Sequence, residues 1–296
     1  MLFNSRALTV SAQENIRLEI VQKSRLEYVG YVLDHATMKD EIFLICTINY
    51  VDYFINVYDY NNIAEVKEVI PLPRMNPRSI AACSVSNCVY QLNWNFRKVN
   101  HVLIKRIARD GEHCVVSTLI GGLYMPDANL CVAENGSLIL SRGQSERCYA
   151  IRVYAANGSL QQRIKAPSEI SWLEKIIPKS GGNLVLIGRN NTGQIELTEI
   201  DLSGTIIRRY QPSVHVASCR ADRYGRVLIA DRANRMELLD SEFNPVDVTC
   251  PKLAGGKQLI HPFQLDSNSE RNELVALLLN QHHENGVLTI FQLREI

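Results

Sequence analysis

The chain has 296 residues, with 32 basic against 31 acidic side chains, 46% hydrophobic and 21% charged residues, and eight scattered cysteines. That balance excludes a global electrostatic pull toward nucleic acid or an anionic membrane, so any such affinity needs a local patch. The N-terminal MLFNSRALTVSAQENIRLEI lacks an apolar run of signal-peptide length, and no stretch is long enough to span a bilayer; the expectation is a cytoplasmic protein with no membrane or DNA partner.

In chain order, the first strand-like segment is IRLEIVQ (Ile16 to Gln22), which has the look of an outer strand; helical periodicity is weak everywhere except around SAQENIRLEIVQ. A polar turn followed by a strong apolar strand then recurs. The turns centre on Asp40, Asn87, Gly136, Gly182, Gly225 and Asn272, at spacings of 47, 49, 46, 43 and 47 residues. After each strand and a short polar loop comes an apolar segment with a bulky residue in the equivalent place: Tyr58, Ile107, Tyr154, Ile200, Leu239 and Phe291. A short strand precedes each turn (SIAACSV, NLCVA, HVASCRA), and an outer one follows each bulky residue (EVKEVIPL, CVVSTLI, QQRIKAP, TIIRRYQP).

Four short strands at a fixed period of this size are the signature of a propeller blade. The units fall at roughly 26–73, 74–122, 123–167, 168–212, 213–254 and 255–296. The chain stops at Ile296 straight after the third strand of the last unit, so residues 16–22 are expected to supply its fourth. The predicted architecture is all-β and one domain, a six-bladed β-propeller of four-stranded blades. An N-terminal strand in the last blade closes the ring and removes exposed sheet edges.

The stretch GRVLIADRANRMELLD, through Gly225, Val227, Ala230, Asp231, Asn234, Arg235 and Asp240, resembles the NHL repeat. That pattern runs as glycine, an apolar pair, an Ala-Asp step, Asn and Arg, then an apolar strand ending in Asp or Asn. Asn135 to Leu160 matches more loosely, with Ser141 and Arg142 in place of Ala-Asp; the other four units keep the period and the apolar framework only. WD-type blades would need recurrent Trp-Asp, but neither Trp94 nor Trp172 precedes Asp, and the Gly-Gly pairs at 121, 181 and 255 do not share the fixed position of a Kelch repeat. The resemblance implies a binding platform like the C-terminal propeller of tripartite-motif NHL proteins, which holds protein or RNA while a separate RING domain does the chemistry. This chain has no cysteine/histidine array for a RING or B-box zinc site, so ligase activity is not expected in it.

In a propeller, the loops between second and third strands and those leading into the inner strands gather on one face. The candidate binding residues there are Arg74, Arg78, Trp94, Phe96, Arg97 and Lys98 in the second unit, and Tyr124, Arg142 and Arg147 in the third. Later units add Trp172, Arg189, His215, Arg232, Arg235 and His282. Arginine with aromatic rings suits protein hot spots, and equally the phosphates and bases of single-stranded RNA. The favoured function is a non-catalytic module for a protein partner, with RNA as the alternative and a metal-dependent lactonase- or lyase-type enzyme as a second alternative. The enzyme reading would use His215, His261 and Asp127, which stand near inner-strand starts. No catalytic residue, metal or cofactor is expected. Asp231 reads as a turn former, Cys83, Cys131 and Cys219 as small buried packing residues, and the sequons at Asn135, Asn157 and Asn190 as turns.

Overall fold

A computed structural model describes residues 18–29, 31–47, 52–72, 76–95, 101–108, 113–120, 128–145, 148–213, 216, 218–222, 224–231, 236–246, 248–249, 262–268, 273–279 and 285–295. Strand β1 (Leu18–Val29) opens the chain. The first blade is β2 (Tyr31–Met38), β3 (Glu41–Thr47), β4 (Tyr53–Asp59) and β5 (Val66–Leu72), and the second is β6 (Asn76–Cys83), β7 (Cys88–Asn95), β8 (His101–Ala108) and β9 (His113–Ile120). The third is β10 (Asn129–Val132), β11 (Leu138–Ser145), β12 (Cys148–Tyr154) and β13 (Leu160–Lys165). The fourth is β14 (Ile170–Pro178), β15 (Leu184–Asn190), β16 (Ile195–Ile200) and β17 (Ile206–Tyr210), and the fifth is β18 (Ser218–Ala221), β19 (Val227–Ala230), β20 (Met236–Leu239) and β21 (Pro245–Val246). After β22 (Val248–Thr249) come β23 (Pro262–Asn268), β24 (Glu273–Leu279) and β25 (Asn285–Glu295).

The fold is a β-propeller of four-stranded antiparallel blades, and five such blades are formed among the described residues. The sequence repeat predicts six. Its last unit instead contributes to a five-stranded sheet ordered β22, β1, β25, β24, β23. The extra strand arises where the chain leaves the fifth blade: β21 has two residues and begins with Pro245, which suits an edge, and β22 then pairs in parallel with Leu18 and Glu19 of β1. Strand β1 pairs antiparallel with β25 from Leu18 to Val29, so it extends past the predicted end at Gln22 and takes in residues 26–29, which the repeat places at the start of the first unit. The innermost strands neighbour one another in the order β2, β6, β10, β14, β18, β23 and back to β2.

The tight hairpin turns share one build. Asp222 N–H donates to the Arg226 carbonyl at 2.9 Å, Gly225 N–H donates to the Asp222 carbonyl at 3.0 Å, and Asp222 Oδ1 accepts the N–H groups of Tyr224 and Arg226. Gly225 closes the turn at φ +74°, in the left-handed region that glycine enters without steric cost. The three sequon asparagines do the same work: Asn135, Asn157 and Asn190 accept N–H groups two residues ahead, from Ser137, Ser159 and Thr192.

Alternate residues of each second strand serve opposite neighbours. Leu138 and Leu140 pack against the second blade with Tyr90 and Leu92, while Ile139 packs against the fourth with Leu184 and Leu186. One polar clasp joins the fourth and fifth blades at the turn end. Glu199, 1% exposed, pairs with Lys179 Nζ at 2.8 Å and Arg208 Nε at 3.1 Å and accepts from Asn183 Nδ2 at 2.7 Å, while Lys179 also donates to the Ser241 carbonyl at 2.6 Å. Removing one partner of a buried pair leaves an uncompensated charge. Glu199→Ala is therefore expected to lower the unfolding free energy by about 3–5 kcal/mol in urea denaturation, well beyond a surface ion-pair deletion such as Lys67→Ala.

Candidate functional site

Because successive strands of a blade are antiparallel, the turns joining first to second and third to outer strands share one end of the propeller. The connections between second and third strands, and those leading into each inner strand, share the other. Of the predicted binding residues, the described ones, Arg78, Trp94, Arg142, Trp172 and Arg189, belong to that second end. Strands reach further into it than the loop pattern suggests: Arg78 lies on β6, Trp94 on β7 and Arg142 on β11, each paired in its sheet or flanked by paired neighbours. Arg74, Phe96, Arg97, Lys98, Tyr124, Arg147, His215, Arg232, Arg235 and His282 lie outside the described residues, as do His261 and Asp127. Asp231 is buried at the end of β19.

Trp172 and Arg189 are brought together. Trp172 opens the innermost strand β14, is paired in register with Arg189 of β15, and remains 43% exposed. Two irregularities, between Ile170 and Trp172 and between Leu173 and Lys175, bend the strand around it. Gly188 makes this bend possible, since a Cβ there would stand 2.5 Å from the Trp172 carbonyl oxygen and 2.8 Å from Ile170 Cγ2. Ser171 Oγ lies 3.0 and 2.8 Å from the carbonyls of Arg189 and Asn190, tying the two strands on the other side. Arg189 Nε pairs with Glu174 at 3.1 Å, and this half-exposed contact orients the guanidinium more than it stabilises the fold. The arrangement presents a flat apolar ring beside a charge-compensated guanidinium, at the mouth of the propeller axis.

At the opposite end, a cavity of about 410 Å³ opens between the ends of five of the inner strands, β2, β6, β10, β14 and β18. Small side chains (Ala36, Ala81, Ala133, Ala221, Cys83, Cys131) make the space, and Thr37, Ser84, Ser180, Glu134, Arg220 and Asp222 supply polar groups. Nothing in the sequence reading singled out these polar residues. They sit singly in short strands and turns, and only the ring gathers them. Asp222 is already committed, accepting Arg226 Nε at 2.7 Å besides its two backbone donors. Lys175 and Arg220 act on the thiols of Cys131 and Cys219 and favour their ionisation, but burial outweighs them and pushes both thiols up to about 12. These cysteines pack as the sequence suggests, and among the described residues no three His, Cys, Asp or Glu side chains are placed to share a metal ion.

No family model matches the chain, and no curated protein matches it. Among solved structures it is similar to a protein of unknown function from Bacteroides caccae, at 16% identity and a TM-score of 0.59 over 82% of this chain and 85% of that one. It is also similar to Raptor from Chaetomium thermophilum, at 9% identity and a TM-score of 0.58, covering 93% of this chain but 29% of Raptor. These likenesses show the fold. No helix among the described residues is long and apolar enough to cross a membrane.

The buried thiols carry a pH signature. Each keeps its proton in the folded state up to about 12, whereas an unfolded thiol titrates near 9.0, so the stability this represents is complete below pH 9 and is lost as pH rises toward 12. Unfolding free energy is expected to decline across that window, and the Cys131→Ala/Cys219→Ala double variant should show a shallower decline. At pH 8 both thiols should resist a disulfide reagent until the protein is unfolded.

Proposed function

We propose that the chain is a non-catalytic binding module that holds a protein partner on the end of the propeller bearing Trp172. The observation that carries this reading is the exposed indole at the head of the innermost strand β14, held by a backbone bend that only glycine at position 188 accommodates. A rigid, exposed tryptophan beside an arginine is the composition of a protein hot spot. The same pair could stack and neutralise a nucleotide of single-stranded RNA, but Arg189 is already balanced by Glu174, which favours a protein over a polyanion.

The scaffold of this reading is a six-bladed, NHL-like propeller in which the five-stranded sheet acts as the sixth blade. Two features support it: the closed order of the inner strands through β23, and the antiparallel pairing of β1 with β25. The Gly225 turn and the buried Asp231 sit where the NHL pattern has its glycine and aspartate. Buried free cysteines fit a reducing, cytoplasmic setting.

Quantitative affinity capture with the wild type, Trp172→Ala and Tyr224→Ala tests the site, Tyr224 being an exposed ring at the opposite end. Proteins held by the wild type should be retained by Tyr224→Ala and weakened about 30-fold by Trp172→Ala, the cost of a hot-spot truncation. Equal retention by both variants would remove this end as the binding face. Retention of a random oligonucleotide pool at low ionic strength, falling steeply with salt, would transfer the reading to RNA.

A further inference from the structure

The interface between the first and second blades changes character along its length. Toward the turn end it is apolar, with Phe43, Ile45 and Val57 of the first blade meeting Ile80, Val89 and Ile107 of the second. Strand alternation carries the same facing surfaces toward the other end, and there they become polar: Thr47 follows Ile45 on β3, Gln91 and Asn93 follow Val89 on β7, and Lys105 precedes Ile107 on β8 while pairing in register with Gln91. Thr47, Gln91 and Asn93 are each 1% exposed and Lys105 is 9% exposed.

This is a departure from the repeat. Val89, Leu138, Leu184 and Val227 each pair with their blade's bulky third-strand residue, Ile107, Tyr154, Ile200 and Leu239. Two residues further on, the third, fourth and fifth blades have Leu140, Leu186 and Ile229, all buried in interblade cores, where the second blade has Gln91. The departure is incompletely satisfied by the protein. Asn93 Nδ2 occupies Gln91 Oε1 at 3.0 Å, but Gln91 Nε2 and the Thr47 hydroxyl have no partner among the described residues. Lys105 makes no ion pair or hydrogen bond with another described residue, and burial lowers its pKa. The facing carboxylate, Asp34, is engaged by the N–H groups of Ile80 and His35, both at 2.8 Å.

We infer that this polar end of the interface is a binding site for a single oxyanion group, a carboxylate or a phosphate, received by Lys105 Nζ, the Gln91 amide N–H and the Thr47 hydroxyl. Each unmet group can donate a hydrogen bond, the Thr47 hydroxyl being able to accept one as well, and Lys105 adds positive charge, a set that complements an oxyanion. Water can satisfy Thr47 and Gln91 but brings no counter-charge to Lys105, a residue 9% exposed, whereas an oxyanion meets all three. The inference does not depend on the protein-partner reading of the Trp172 end.

Thermal unfolding of the intact chain at pH 7 in inorganic phosphate, in acetate and in chloride, at matched ionic strength, tests it. The wild type is expected to melt about 2 °C or more higher in phosphate or acetate than in chloride, the rise expected of a ligand in tenfold excess over its Kd. Lys105→Met, which keeps the stem and removes the charge, should melt higher than the wild type in chloride and lose the anion-dependent rise. Gln91→Leu, the residue type of the matching positions, serves as a second variant and should fold and respond more weakly. A rise confined to acetate or to phosphate identifies which oxyanion the site takes. An absent rise in the wild type, or an equal rise in both variants, overturns the site.

Discussion

The structure depends on sheets that are apolar on both faces. Residues Ile42 to Cys46, Leu138 to Leu140, Leu184 to Ile187 and Val227 to Ala230 are buried without interruption, because odd and even side chains of one strand face different neighbouring blades. No such sheet can shield itself, since either face alone would expose several large side chains to water. Each blade is stable only between two others, and the only arrangement that gives every blade two neighbours is a ring. The pairing of β1 with β25, at opposite ends of the chain, follows from the same demand.

Polar groups inside these interfaces divide by whether the protein meets their needs. Glu199 between the fourth and fifth blades is surrounded by Lys179, Arg208 and Asn183, and the Ser241 carbonyl accepts a second N–H of the lysine. Charge and hydrogen bonds close within the protein, so this cluster fastens two blades together. Between the first and second blades, Gln91, Thr47 and Lys105 are buried to a similar degree without such closure. An interface that could have carried leucine, as at Leu140 and Leu186, carries unmet groups able to donate instead, one of them cationic, and the proposed oxyanion site rests on that.

The two ends of the propeller differ in kind. One presents Trp172 on a rigid bend, and the other gathers small side chains and scattered polar groups around an axial cavity. The first was visible in the sequence because an aromatic and an arginine stood near predicted loops. Their registry across β14 and β15, and the role of Gly188, were not visible, because a bulge is set by how two strands meet and has no fixed residue pattern. Strands also run through stretches that read as loops: Trp94 and Arg142 are polar-flanked in sequence, yet their backbone is paired.

By itself the sequence determined the repeat, the strand order within each blade, and the turns. These are local properties: apolar periodicity marks buried strands, and Gly or Asn marks the positions where the chain must turn left-handed. The bulky residues Tyr58, Ile107, Tyr154, Ile200 and Leu239 do pair with the first apolar residue of the preceding strand, as their equivalent spacing implied. Only the tertiary structure decided which sheet took five strands, which residues ring the axial cavity, and that Gln91, Thr47 and Lys105 share one interface. Those outcomes join residues from different repeats, and packing between separate sheets leaves no periodic trace along a single chain.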